Sequence, residues 1–274
     1  MNDKLNEVLA DLEAEGAQLQ SWVAPLPAVL WSTPTPAEGW TIAHQIAHLT
    51  WTDETSVKAA TDDEAFAETI KGAMANPTGF VDEAANELAA LDPAELLARW
   101  QSSRESLVKA LRDVPEGIKI PWYGPPMSPT SMATARLMET WAHAHDIAEA
   151  LGIESPRTER AKHVAYLGVR TRDFAHHMRG ETPPTEEFRV ELAGPSGDVW
   201  AWGPEDAAQR VTGDGYEFAL LATRRLHPHD AAVEAVGLEA EHWLTIVQAF
   251  AGMPGADPAR RIDQRRIDPG KASS

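Results

Sequence analysis

Apolar residues recur at helical intervals through the first half of the chain. Leu5, Leu9, Leu12, Leu19 and Val23 predict an amphipathic helix over residues 2–25, in spite of Gly16. Pro25 to Gly39 holds four prolines, which predicts a connection lying across the helices rather than prolonging one. From Trp40 to about residue 60, the stripe Ile42, Ile46 and Leu49 predicts a second long helix. Residues 63–76 and 82–91 read as shorter helical pieces around the breaker Asn76-Pro77-Thr78-Gly79. Asp92-Pro93 marks the start of a helix that runs to about Arg112. An Asp side chain can accept from the first free N–H groups, and proline's fixed φ suits the first turn. Residues 114–130 hold five prolines and two glycines and predict a long ordered loop, of the kind that lines sites. The next helix runs from Ser131 to Leu151 and stops at Gly152. Four long helices with short or crossing connections predict a four-helix bundle.

The second half changes period. Residues 158–178 predict one more helix, after which Glu186 to Ala193 alternates like a strand. Gly194 to Gly197 reads as a turn, with Asp198 to Trp202 as the hairpin partner. Glu205 to Arg210 and Gly215 to Arg225 look helical, and Glu239 to Phe250 predicts a last helix. The fold class expected is mainly α: a four-helix bundle over residues 1–154, followed by a smaller α+β domain over residues 155–274. No internal repeat is visible.

Composition narrows the function classes. An apolar fraction of 43% with 24% charged residues suits a chain that buries a real core. No apolar run approaches the ~18 residues needed to cross a bilayer. The N-terminal stretch is acidic and amphipathic, unlike a secretory or transit segment, so a soluble cytoplasmic protein is expected. A formal charge of −18 opposes nucleic-acid binding. The basic stretch Arg260 to Arg266 carries aspartate as well and reads as a solvated tail. There is no cysteine, hence no disulfide, no thiolate ligand and no thiol nucleophile of the chain's own.

Candidate chemistry gathers on two helices. Glu139 and His143 stand four apart, so they project from adjacent turns of one face. With Asp146 they form a polar island on an otherwise apolar azimuth that includes Met132, Ala135 and Ala150. A buried carboxylate and imidazole are costly unless paired or metal-bound, so a ligand explains the island better than water does. The second helix offers His44 and His48, again four apart. Two imidazoles and one carboxylate leave coordination positions open, as in catalytic zinc sites. Nickel, iron or manganese would also accept such ligands.

Gly39-Trp40, His48-Leu49, Arg136, Glu139, His143 and Asp146 together resemble the DinB-like metal-binding fold, in particular the mycothiol-dependent maleylpyruvate isomerase branch. That resemblance covers residues 1–151 well and the remainder more loosely. It implies a DinB-like four-helix bundle with zinc, or nickel or another divalent ion, held by His48, Glu139 and His143. Asp146 would orient a ligand imidazole from behind. Position 44 is usually acidic in the family; here His44 is a fourth ligand, a general base or a packed neutral histidine, the last being favoured. His145 faces away, and His176, His177, His227, His229 and His242 are taken as surface or structural residues.

The function so implied is a thiol-dependent S-transferase or isomerase acting on a small electrophile, with mycothiol as cosubstrate. The 121–128 loop, Trp51 and Trp141 are the expected walls of its site. A metal-dependent hydrolase with His44 as base, and a non-enzymatic metal- or ligand-binding protein, are the other readings. A monomer or homodimer fits either. The Ala-, Arg-, Trp- and Pro-rich composition suits an actinobacterial source.

Overall fold

Helices alone build the N-terminal part of the protein. The structure, a computed structural model, describes residues 3–253 and 258–260. α1 (Asp3–Val23), α2 (Ile42–Thr61), α5 (Pro93–Asp113) and α6 (Pro129–Leu151) are the long elements, and α3 (Asp63–Ala75) and α4 (Phe80–Ala89) are short ones between α2 and α5. α2 packs against α4, α5 and α6, while α1 packs against α6 and α5. The four long helices thus form the expected bundle. Leu19, Val23, Ile42, Ile46, Leu49, Leu96, Trp100 and Ile147 meet in its core. The proline-rich connection after α1 makes a 3-10 turn at Ala28–Ser32, which buries Trp31 in that same core.

Local chemistry sets the helix ends. The Asp92 carboxylate accepts from the Ala94 N–H at 2.9 Å and Pro93 opens α5, as the sequence predicts. α6 begins two residues earlier than expected, because Ser128 Oγ accepts from the Ser131 N–H at 3.1 Å and Pro129 takes the first helical position. It ends at Gly152, whose φ of 65° and ψ of 29° lie in the left-handed region. Between α5 and α6, Ile120 and Met127 exchange backbone hydrogen bonds of 2.8 and 2.9 Å, so the proline-rich loop closes on itself as a pinched finger.

After Ser155 the chain enters a second compact unit. Its helices are α7 (Ala161–Arg170), α8 (Arg172–His177), α9 (Gly215–Ala222) and α10 (Leu238–Ile246). Its strands β1 (Phe188–Ala193), β2 (Val199–Trp202), β3 (Gln209–Asp214) and β4 (Val233–Val236) form one sheet in the order β2-β1-β3-β4. β1 pairs antiparallel with β2 and parallel with β3, and β3 pairs antiparallel with β4. Phe188, Val190, Trp200, Val211, Phe218 and Trp243 are buried in this unit.

Four readings of this half need correction. Residues 158–178 are two helices, because Thr171 Oγ1 donates back to the Leu167 carbonyl at 2.7 Å and also to the Gln248 carbonyl. Glu205–Arg210 is not helical: it begins as a turn at Glu205 and Asp206, and its end enters β3. Gln209 and Arg210 are drawn into the sheet beside β1, where Gln209 binds Glu186 at 2.8 Å and Arg210 binds Glu191 at 2.7 Å. β4 was not anticipated; four residues alternating Val-Glu-Ala-Val are too short a signal to stand alone. The last helix stops at Ile246 instead of 250, where the chain extends and the Ala249 N–H bonds the Ala222 carbonyl at 2.8 Å. The basic stretch after Arg260 lies outside the described residues. Among the described residues, no helix is long and apolar enough to cross a membrane.

Candidate metal centre

Residues 91 apart in sequence meet where α2 crosses α6. The buried face of α2 carries Ile42, Ile46 and Leu49, and His48 lies within the same buried run. α6 supplies Glu139 and, one turn on, His143. His48 Nε2 and His143 Nε2 each stand 3.3 Å from the same atom, Glu139 Oε2. The two imidazole centroids are 4.6 Å apart. All three side chains are largely buried, at 11, 20 and 12% exposure for His48, Glu139 and His143.

This spacing suits a shared cation better than a pair of salt bridges. A charge-assisted N–H···O bond settles at about 2.7–2.9 Å. Tetrahedral ligands about 2.0–2.1 Å from a zinc ion stand roughly 3.3–3.4 Å from one another. Protonation states point the same way. Burial, reinforced by the charges of His143 and Arg136 and only partly offset by Glu139, lowers the His48 pKa to about 4, which leaves a neutral ring with a lone pair to give. Burial also opposes ionisation of Glu139. Its contacts with His143, His48 and Arg136 outweigh that and hold the carboxyl well below its usual range.

Neighbouring groups fix the rings. Gln45, one turn before His48, presents Oε1 to His143 Nδ1, and its Nε2 donates to Thr35 Oγ1 at 2.8 Å. With the amide so oriented, His143 carries a proton on Nδ1, and Nε2 is the nitrogen that faces Glu139. Asp146, the residue expected to orient an imidazole, has its carboxylate 3.9 Å from His143 Nδ1. Gln45 was missed in the sequence, although its place one turn from His48 on the buried face could have flagged it. Arg136 is also buried, with Nη2 3.8 Å from Glu139 Oε1 and no protein hydrogen-bond partner for Nε or Nη1. On α2, burial raises the carboxyl of Asp53 to about 7 against the pull of Arg136 and Arg104.

Aromatic rings wall the site. Trp40 stacks on His143 at 5.9 Å and lies 5.3 Å from His48, held by its indole N–H to Asp82 at 3.0 Å. Trp51 lies 6.1 Å from His48 and 6.5 Å from Tyr123 of the 121–128 loop, with Phe80 edge-on at 5.8 Å. Trp141 instead packs against His145, 4.7 Å between centroids, so Trp40 takes the wall position expected of it. His44 stands outside the cluster. Its Nδ1 accepts from the Thr41 N–H at 3.2 Å and faces Thr41 Oγ1 at 2.8 Å, so its Nε2–H donates to Asn86 Oδ1 at 3.0 Å. With both ring nitrogens engaged, His44 closes the first turn of α2.

Comparison with known proteins follows the same division of the chain. The family model described as the mycothiol maleylpyruvate isomerase N-terminal domain matches residues 12–148, half of the sequence. A second model, wyosine base formation, matches residues 184–236. Two relatives, each named only as an uncharacterized protein, come from two strains of Mycobacterium tuberculosis. Each is 58% identical over 247 residues, covering 90% of this chain and 96% of the relative. The crystal structure of the mycothiol-dependent maleylpyruvate isomerase superposes with a TM-score of 0.58 at 18% identity, over 84% of this chain and 92% of that one. A histidine-to-alanine variant of that isomerase gives 0.59 at 19% identity, with the same coverage. At these identities the likeness establishes the fold.

Proposed function

The chain belongs to the mycothiol maleylpyruvate isomerase family, and from that premise we propose that it is a metal-dependent enzyme joining a low-molecular-weight thiol to a small electrophile. His48, Glu139 and His143 would hold the ion, with zinc first and nickel or another divalent ion as alternatives. The observation that carries this reading is the pair of 3.3 Å separations onto one carboxylate oxygen, a spacing that would suit ligands of one cation. When bound, such a cation lowers the pKa of a coordinated thiol, so that a thiolate is present near neutral pH.

The protein's own residues do the rest. Glu139 brings one negative charge and the two imidazoles none, so the centre keeps a net positive charge for an anionic sulfur. Gln45 holds His143 in the tautomer that faces the centre. Trp40, Trp51, Phe80 and Tyr123 exclude water around it, which favours thiol attack over hydrolysis. The thiolate adds to an electrophilic carbon of an activated double bond: a C–S bond forms, the π bond breaks and its electron pair moves onto the neighbouring electron-withdrawing group. In an isomerase the pair returns after rotation about the bond that has become single and expels the thiolate; in a transferase a proton from solvent takes up the pair and the C–S bond stays. Mycothiol is the thiol that the family points to, and a reduced cytoplasmic thiol pool is the setting that goes with it.

Elemental analysis of untagged protein should find zinc, and H143A should hold one equivalent less than wild type. An unchanged zinc content in H143A would overturn the assignment. Assayed with mycothiol and a panel of small electrophiles, the protein should turn over only with thiol present. Turnover without thiol would make it a hydrolase.

A further inference from the structure

A second cluster of ligand-type side chains lies in the C-terminal unit, and the chemistry above makes no use of it. After α8 the chain turns through Met178, Arg179 and Gly180, whose φ is 71°, so that the Glu181 N–H bonds back to the His176 carbonyl at 3.0 Å. The turn sets the Glu181 carboxylate beside His176 and within reach of His242 on α10. Glu181 Oε2 receives both rings: His176 Nδ1 at 2.9 Å and His242 Nε2 at 2.8 Å. The ring centroids are 5.6 Å apart. His176 lies beneath, 2% exposed, while Glu181 and His242 are open to solvent at 35 and 46%.

We propose that His176, Glu181 and His242 form a second divalent-cation site, separate from His48, Glu139 and His143, that takes a transition metal such as zinc and clasps α8 to α10.

Three separate stretches of chain bring one donor atom each to a common point, all within 4.8 Å of one another. A single carboxylate oxygen serves two imidazole N–H groups, so two protons crowd the place where one divalent ion would sit. Loading exchanges those protons for the cation. Each ring loses the proton that faces Glu181, to solvent or to its own far nitrogen, and the freed lone pair binds the ion. For His176 the far nitrogen, Nε2, has no protein partner, so a proton placed there is buried and unpaired, and the bond from Nδ1 to the cation has to outweigh that cost. The nitrogen–oxygen separations need to open only to about 3.3 Å, a shift that the half-exposed Glu181 and His242 can absorb. Two imidazoles with one carboxylate select zinc, nickel, cobalt or copper over magnesium and calcium. The open face leaves room for water to complete the shell. The sequence reading took His176 and His242 as surface or structural residues, and only the turn to Glu181 unites them.

The test is zinc stoichiometry of the untagged, chelator-stripped full chain, by equilibrium dialysis and elemental analysis. Wild type should bind two equivalents, and H143A, H242A and E181Q one each. In H143A, added zinc should shift the ring nitrogen resonances of His242 and raise Tm. The variants E181Q and H242A carry the test because these side chains are half exposed, and their circular dichroism should match wild type. A wild type that saturates at one equivalent lost in H143A would overturn the second site. So would H242A and E181Q both binding as much zinc as wild type. If the first assignment were the faulty one, H143A would keep the wild-type stoichiometry while H242A still lost one equivalent.

Discussion

Asp53 and His48 share a helix, and burial drives their protons in opposite directions. Asp53, raised from 3.8 to about 7, prefers to be protonated in the fold. The stability it contributes is full below the ordinary carboxylate pKa and is lost as pH rises through 7. His48, lowered from 6.5 to about 4, prefers to be neutral. Its contribution is full above 6.5 and is lost as pH falls toward 4. Metal-free Asp53→Asn should therefore be more stable than wild type at pH 8 by on the order of 3 kcal/mol, with the gain shrinking as pH falls. Urea unfolding at several pH values measures this, and a destabilised variant at pH 8 would refute it. Gln45 makes a second claim at this scale. Gln45→Leu keeps the bulk but frees His143 Nδ1, and should weaken zinc binding about 10–100-fold in a chelator competition titration. Unchanged affinity would mean that the amide does not set the ring. The sequence disclosed Glu139 and His143 because a polar island on an apolar helix face is visible by counting. The contacts that Gln45 and Trp40 make with His143 were not legible, because they depend on the angle at which α2 meets α6.

Helix ends were the most legible elements. Asp92-Pro93 and Gly152 behave as their chemistry dictates, since capping is decided within a few residues. His44 is the instructive case. Its spacing from His48 suggested chemistry, yet the structure shows it completing a capping box with Thr41, a role usually taken by glutamate or glutamine. His44→Gln should then fold with nearly wild-type stability and bind zinc normally, while His44→Ala should lose about 1 kcal/mol. Thermal melts and metal analysis of the pair distinguish this from a ligand or base role, under which both variants would fail alike. The strands were harder to read. β1 shows its alternation, but β3 begins with Gln-Arg behind an alanine pair that favours helix, and only pairing with β1 overrides that preference. β4 is held by β3 rather than by its own four residues.

Each of the two compact units encloses its own set of buried aromatic and aliphatic side chains, with Trp100 in the first and Trp200 and Trp243 in the second. A fragment of residues 1–155 should consequently give a helical, cooperatively melting protein that takes up one equivalent of zinc. A fragment without a thermal transition would show that the bundle core is insufficient alone. Composition had anticipated a chain able to bury such cores. The crossing of α2 and α6 has a consequence for folding itself. With 91 residues between His48 and Glu139, an unfolded chain cannot offer both to one ion without closing a long loop. Cation uptake would then be thermodynamically tied to a finished bundle. Above its dissociation constant, each tenfold rise in free zinc should add about 1.4 kcal/mol to the unfolding free energy, and the urea midpoint should climb linearly with the logarithm of free zinc.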